Sequence, residues 1–265
     1  MYLLARLTEG LSGWMGGADM IATPLITRVD GGQNGRHYRV EGFSELFPSV
    51  TNVLGIISKP ALVPWARNVA LQSVKETLTG YMDMDTSLID EAWVASVIGK
   101  AKKKPDEVRD EAGDFGTQAH ILIEQIINGL DPDIPPEMQI VVDNFFGWRK
   151  ECGLEISLTE TMVYSSKYKY AGAMDALAYR DGRMVAIDWK TSNGLYGEYA
   201  LQVAAYAKAL EEMTGEVVSE AWAVRFGKKE PEFEAKKVKD LDSTFVAFRA
   251  ALYLWRAMQH EHMTI

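Results

Sequence analysis

Residues 172–190 read Gly-Ala-Met-Asp-Ala-Leu-Ala-Tyr-Arg-Asp-Gly-Arg-Met-Val-Ala-Ile-Asp-Trp-Lys, with Asp181-Gly182 between two largely apolar runs. An Asp-Gly pair is typical of a two-residue β-hairpin loop. If it forms the loop here, Arg180 pairs with Arg183, and counting back along both strands places Asp175 opposite Asp188. Lys190 follows two residues later and shares the face of Asp188. The stretch therefore predicts a hairpin that carries two aspartates and a lysine on one face.

The other face of this hairpin is apolar, and we expect it to be core. It consists of Met174, Ala176, Ala178, Val185, Ile187 and Trp189. On the polar face, two carboxylates about 5 Å apart repel each other, so a cation between them is the simplest explanation. A polar surface hairpin with solvated charges is the alternative, but it does not explain why Asp-Trp-Lys ends a buried strand. Oxygen ligands favour Mg²⁺ or Mn²⁺ over zinc, because the chain has one cysteine and four histidines.

The overall composition excludes several classes of protein. A net charge of -9 argues against broad attraction to nucleic acid or anionic membranes, so a polyanion must bind local basic patches. The lysine clusters at 100–104, 228–229 and 236–239 are candidates, although lysine runs are more often solvated faces or helix ends. The amino terminus lacks the pattern of a signal peptide, and no apolar stretch reaches the roughly 18 residues of a membrane span. We therefore expect a soluble intracellular protein without a membrane partner.

The pattern of apolar residues divides the chain into three regions. Residues 1–45 are glycine-rich and predict a flap with a small hairpin, with strands at 26–29 and 37–41. Residues 46–157 predict a helical region, with helices at 63–78, 87–100, 106–128 and 137–151. Residues 158–265 predict strands at 158–164, 173–180, 184–190 and 219–226, and helices at 198–213 and 244–259. This order predicts an α/β fold with a mixed central sheet and a helical amino-terminal half, built as a single structural domain.

Several short motifs follow one another in a specific order. They are Gly116-xxx-His120, Glu160, Gly172-xx-Asp175, Asp188-x-Lys190 and Gln202-xxx-Tyr206. Together they resemble the RecB-like exonuclease branch of the PD-(D/E)XK nuclease superfamily. The chain is similar to mitochondrial genome maintenance exonucleases and phage exonucleases in three segments, Pro48-Ser-Val-Thr51, Ile187-Asp-Trp-Lys-Thr-Ser192 and Leu201-Gln-Val-Ala-Ala-Tyr206.

This resemblance implies a set of roles. Metal ligands would be His120, Asp175, Asp188 and the backbone carbonyl of Trp189, and the sheet would be the nuclease core, flanked by helices. Lys190 would position the attacking water, although the residues alone also allow it to donate to the phosphate. Gln202 and Tyr206 would steady the DNA backbone and the carboxylates, and Glu160 would orient the ligands or be solvated. The cysteines of iron-sulfur relatives are missing, because Cys152 is the one cysteine.

The function implied is a Mg²⁺- or Mn²⁺-dependent DNA exonuclease that acts on single-stranded ends. The ends would pass between the 46–157 wall and the sheet. The resemblance places the enzyme in replication, repair or recombination in a bacterial or phage-infected cell, with replication or recombination proteins as possible partners. The alternatives are a structure-specific endonuclease and an inactive nuclease-like module that binds DNA or proteins.

The helical region offers further DNA contacts. Trp65 could stack on a base and Arg67 could bind a phosphate, although core packing is the favoured explanation of Trp65. Ser49 and Thr51 could bind a phosphate, or one of them could cap a helix.

Overall fold

The structure is a computed structural model that describes residues 24–31, 35–82 and 89–259. These residues form six α-helices, a three-stranded sheet and a five-stranded mixed sheet. The predicted α/β class, with helices in the amino-terminal half, is confirmed. Residues 1–23 and 32–34 of the predicted flap, and residues 87 and 88 at the start of a predicted helix, lie outside the described residues. No helix in the described ranges has an apolar stretch long enough to cross a bilayer.

The strands are β1 (Ile26–Val29), β2 (His37–Val40), β3 (Leu46–Pro48), β4 (Glu155–Ser165), β5 (Tyr170–Arg180), β6 (Arg183–Lys190), β7 (Val218–Phe226) and β8 (Phe233–Lys237). The helices are α1 (Val50–Leu54), α2 (Leu62–Gly80), α3 (Glu91–Ile127), α4 (Gln139–Glu151), α5 (Gly197–Thr214) and α6 (Leu241–Gln259). Strands β1 to β3 form the small sheet, and β4 to β8 form the large sheet in chain order.

The hairpin of β5 and β6 has the predicted register. Arg180 pairs with Arg183, and Ala176 pairs with Ile187. Asp181 and Gly182 have φ angles of 50° and 73°, the left-handed conformation that an Asp-Gly turn of type I′ requires. Strand β6 then pairs in parallel with β7, and α5 forms the crossover between them. The remaining pairs of the large sheet are antiparallel, which makes the sheet mixed.

Both faces of the large sheet are covered. The six apolar residues predicted as core are at most 2% exposed, so that prediction is confirmed. Phe145 and Trp148 of α4 pack edge-on against Trp189, with ring centroids at 5.9 and 6.5 Å. Helix α5 covers the opposite face, which carries Asp188. The polar residues of the hairpin are therefore placed in a buried layer, where each needs a specific partner.

The chain forms two compact units. The larger contains the described residues of Met1–Ile56 and Leu122–Ile265, and the smaller is Ile57–Ile121. The smaller unit includes α2, in which no residue is buried, and most of α3.

Helix α3 corrects one prediction, because it replaces the two helices expected at 87–100 and 106–128 with a single helix of 37 residues. Pro105 lies inside it and removes one backbone hydrogen bond, which usually breaks or kinks a helix. One ion pair spans this point, Lys104–Glu107 at 3.3 Å, and a second follows it, Arg109–Asp106 at 3.0 Å. Strands β3 and β8 were not predicted from the sequence. Helix α6 begins three residues before its predicted start, because the Asp240 carboxylate caps it by accepting a hydrogen bond from the Ser243 amide at 3.0 Å.

Candidate active site

Asp175 and Asp188 lie where strands β5 and β6 separate. Their pairing ends at Ala176 and Ile187, one step before the two aspartates would face each other. At this step Asp175 Oδ2 accepts a hydrogen bond from the backbone N–H of Trp189 at 2.6 Å. The exposed fractions of Asp175 and Asp188 are 7% and 2%. This hydrogen bond thus joins β5 and β6 beyond their last backbone pair and fixes the Asp175 carboxylate at the end of the hairpin.

Asp188 is held by two side chains on its own face. Gln202 Nε2 of α5 donates to Asp188 Oδ1 at 3.1 Å, and Lys190 Nζ forms an ion pair with Asp188 Oδ2. Gln202 also donates to the Tyr206 hydroxyl at 2.9 Å. The predicted Gln202-xxx-Tyr206 pair therefore lies on one face of α5 and connects to the carboxylate.

Gly172 makes room for Tyr206. A Cβ atom at position 172 would lie 2.4 Å from Tyr206 Cε1, which is closer than such atoms can approach. Tyr206 is 3% exposed and Gly172 is buried, so neither group can move into solvent. The absence of a side chain at position 172 thus leaves room for the Tyr206 ring.

Glu160 has an unusual backbone conformation. Its neighbours Thr159 and Thr161 pair with Ala176 and Met174, so Glu160 stands across from Asp175. Its φ angle is 47°, in the left-handed region that costs a non-glycine residue free energy. Such strain occurs at functional sites, where the gain from placing a side chain compensates for it.

Glu160 and Asp175 bring two carboxylates together within the larger unit. One oxygen of Glu160 lies within 4.8 Å of one oxygen of Asp175. Two carboxylate oxygens suit a divalent cation, and oxygen ligands favour Mn²⁺ or Mg²⁺. His120 belongs to the smaller unit, and its part as a ligand stays a prediction. The donor set therefore fits the predicted metal. Asp188 bonds to Gln202 and Lys190, and its part in holding a metal, like that of the Trp189 carbonyl, stays a prediction.

The buried charges shift the pKa values of two neighbouring groups. Burial alone would lower the pKa of Lys190, but the charges of Asp188 and Asp175 outweigh burial and raise it. Burial, and then the charge of Asp188, raise the pKa of Tyr206 well above its ordinary value. Lys190 is therefore a cation and Tyr206 a neutral phenol at physiological pH. Lys190, which is partly exposed, can donate a hydrogen bond to an anionic substrate.

The remaining predicted residues lie in other elements. Ser49 is buried and caps α1, because its Oγ accepts a hydrogen bond from the Asn52 amide at 3.0 Å. Thr51 is exposed in the same helix, and its hydroxyl lies 3.1 Å from that of Ser49. In the smaller unit, Trp65 is half-buried and Arg67 exposed on α2. Their predicted contacts with DNA stay predictions.

Arg225 was missed. It pairs with Lys190 across β6 and β7, and its residue is 9% exposed. Its guanidinium pairs with Glu232 at 2.8 Å and Glu234 at 3.5 Å. The sequence did offer a sign of this residue, because an arginine within an otherwise apolar strand is unusual. Its position in β7 places it on the same face of the sheet as Asp188 and Lys190.

Comparisons with known proteins give only distant similarities. No protein-family model matches the chain, and no curated protein matches it. Among solved structures, 23 chains match. One is described as the crystal structure of SSO0001, with a TM-score of 0.30 and 14% identity over 46% of this chain and 59% of that chain. Another is an alkaline exonuclease (LHK-Exo) from Laribacter hongkongensis, with a TM-score of 0.35 and 14% identity over 54% of this chain and 77% of that chain. The first match thus spans less than two thirds of its counterpart's length.

Proposed function

We propose that the chain is a metal-dependent DNA exonuclease that hydrolyses phosphodiester bonds at single-stranded ends. The observation that carries this proposal is the pair of carboxylates, Glu160 and Asp175, beside the Asp188–Lys190 pair. The ordered motifs that resemble the RecB-like nuclease branch support the same activity. The cellular process, replication, repair or recombination in a bacterial or phage-infected cell, is proposed on that resemblance alone.

In this proposal each residue of the site has its own role in the hydrolysis. A divalent cation held by His120, Glu160 and Asp175 would neutralise charge on the phosphate and lower the pKa of a bound water. Asp188 would add an acceptor for the attacking water or a further ligand. Lys190 is placed to donate to the water or to the phosphate. Gln202 fixes the orientation of the Asp188 carboxylate.

The first experiment measures cleavage of an end-labelled linear single strand by wild type and Asp188→Asn. Each protein is assayed with Mg²⁺, with Mn²⁺ and with a chelator. We expect wild-type cleavage with either metal and none with chelator, and a loss of about a hundredfold or more in Asp188→Asn. Asp181→Asn is the matched control, because Asp181 is exposed at the far end of the same hairpin and asparagine also tolerates its left-handed backbone.

A circular single strand tests the exonuclease against the alternatives. An enzyme that needs an end leaves the circle intact while it degrades the linear form. Cleavage of both forms would replace the proposal with the endonuclease. Absence of cleavage by folded wild type with either metal would favour the inactive binding module, and full activity in Lys190→Ala would contradict the proposed role of the lysine.

A further inference from the structure

An open cavity of about 370 Å³ lies in the larger unit, next to the candidate active site. Its walls are formed by the start of α5, the end of β8 with the segment that follows, and the start of α6. The residues on which the argument depends are Tyr196, Ala200, Ala223, Lys236, Lys239 and Asp240.

Strand register places this cavity relative to Asp188. Ala223 pairs with Asp188 on one side and with Lys236 on the other. Paired residues share a face of the sheet, so all three side chains lie on the face that α5 covers. Two strand spacings separate Lys236 from Asp188, which is about 10 Å. A nucleic-acid strand covers that distance in a few nucleotides.

The cavity is locally basic in a chain of net charge -9. Lys236, Lys237 and Lys239 line it. Asp240 is the acidic residue among those that line the cavity, and its carboxylate caps α6. It accepts hydrogen bonds from the Ser243 amide at 3.0 Å and the Ser243 hydroxyl at 2.6 Å. Lys236 pairs with Glu234 at 2.6 Å and Lys237 with Glu220 at 3.2 Å. Exposed pairs of this kind are weak, so a phosphate can compete with the carboxylates for these lysines.

An aromatic contact connects the cavity to the catalytic lysine. Tyr196 is 51% exposed, and its ring centroid lies 5.6 Å from that of Tyr199. Lys190 Nζ lies 5.0 Å from the Tyr199 centroid. Exposed aromatic rings beside cationic side chains are the combination by which proteins bind single-stranded nucleic acid, through base stacking and phosphate contacts.

We propose that this cavity is a single-strand subsite, in which Tyr196 stacks on a base while Lys236 and Lys239 bind backbone phosphates a few nucleotides from the cleaved bond. This inference rests on the proposed function. In this proposal the substrate is an unpaired strand that extends beyond the cleaved bond. Lys236 and Lys239 of the 236–239 cluster contact that strand.

Binding tests the subsite without requiring catalysis. Fluorescence anisotropy with a labelled oligothymidylate, in the presence of chelator, compares wild type with Lys236→Gln/Lys239→Gln. We expect the Kd to rise about tenfold, and the slope of log K against log salt to become shallower by about 1.4, since each single-strand phosphate contact contributes about 0.7. Arg149→Gln/Lys150→Gln removes the same charge at the exposed end of α4 and is expected to bind like wild type.

The stacking role has its own variants. Tyr196→Ala is expected to raise the Kd about tenfold, and Tyr196→Phe to leave it unchanged, because phenylalanine keeps the ring. Binding of a blunt duplex is expected to be insensitive to Tyr196→Ala. Unchanged oligothymidylate binding in both the lysine variant and Tyr196→Ala would overturn the subsite.

Kinetics then separate positioning from chemistry. The lysine variant is expected to raise KM for the oligonucleotide with kcat unchanged, and to cleave bis(p-nitrophenyl) phosphate at the wild-type rate, because that small diester does not reach the cavity. An equal loss on both substrates would overturn the positioning role. If wild type cleaves neither substrate but binds the strand through these residues, the proposed function fails and the subsite stands.

Discussion

At position 172 the absence of a side chain sets the geometry of the candidate site. Tyr206 Cε1 occupies the space that a Cβ atom would need, at 2.4 Å. Both residues are buried, so an added methyl group must displace the ring or strand β5. We expect Gly172→Ala to lower the free energy of unfolding by about 1–3 kcal/mol. Urea unfolding followed by fluorescence measures this change.

Gly99 offers a matched control for this substitution. It lies inside α3, and no heavy atom is within 4 Å of the Cβ position there. Gly99→Ala is expected to raise the free energy of unfolding by up to about 1 kcal/mol, because alanine favours helix. Equal stability of Gly172→Ala and wild type would show that the ring can move, and the explanation of Gly172 would be wrong.

Glu160 is expected to contribute to metal binding. Its backbone is strained, and its carboxylate lies within 4.8 Å of that of Asp175. A metal that binds only the folded protein raises its stability, and a tenfold weaker Kd removes about 1.4 kcal/mol of this gain at saturating metal. We therefore expect Mn²⁺ to raise the Tm of wild type more than that of Glu160→Gln.

Glu155→Gln is the control for this measurement, because Glu155 is exposed at the start of the same strand. It is expected to keep the full Mn²⁺ shift. The same shift in Glu160→Gln as in wild type would remove Glu160 from the ligand set.

At the scale of elements, Glu212 joins α5 to the turn between β4 and β5. Its carboxylate accepts hydrogen bonds from Ser165 Oγ at 2.5 Å, Ser166 Oγ at 2.6 Å and the Lys167 amide at 2.8 Å. Because this side chain is partly exposed to solvent, we discount the usual strength of charged hydrogen bonds. Glu212→Gln is expected to lower the free energy of unfolding by about 1 kcal/mol at neutral pH.

The contribution of Glu212 depends on pH. Burial raises its pKa, but the hydrogen bonds from Ser165, Ser166 and Lys167 lower it more, so the pKa in the folded state is below the ordinary 4.5. The stabilisation is therefore complete above about pH 4.5 and is lost as the pH falls through the folded-state pKa. The stability difference between wild type and Glu212→Gln should shrink on acidification, while exposed Glu216→Gln matches wild type throughout. A difference in the free energy of unfolding that stays constant with pH would contradict this role of the Glu212 carboxylate.

The elements that local signals specify were predictable from sequence, and those set by tertiary context were not. The Asp-Gly turn fixes the register of β5 and β6, and helical spacing places Gln202 and Tyr206 on one face. The left-handed backbone of Glu160 has no signature in the sequence, because a glutamate rarely adopts it. Pro105 is the opposite case: a strong local signal for a helix break was overridden by good helix formers on both sides and by an ion pair across it.

At the scale of the whole molecule, net charge and local charge act in opposite directions. The chain carries -9 overall, whereas the cavity proposed to bind the strand carries lysines. The Debye length is about 30 Å at 0.01 M salt and about 10 Å at 0.1 M. A polyanion therefore experiences the repulsion of the whole protein at low salt, but mainly the nearby lysines at higher salt.

This opposition predicts a curved salt dependence of single-strand binding. Below about 0.1 M, added salt weakens the lysine contacts but also screens the overall repulsion, so the slope of log K against log salt should be shallow. Above that concentration the repulsion is already screened, and the slope should steepen to the value set by the phosphate contacts. Neutralising exposed acids away from the cavity, as in Glu151→Gln/Asp181→Asn/Glu216→Gln, should strengthen binding at low salt and leave it unchanged at high salt. Anisotropy titrations over this range would show a straight line in both proteins if net charge played no part.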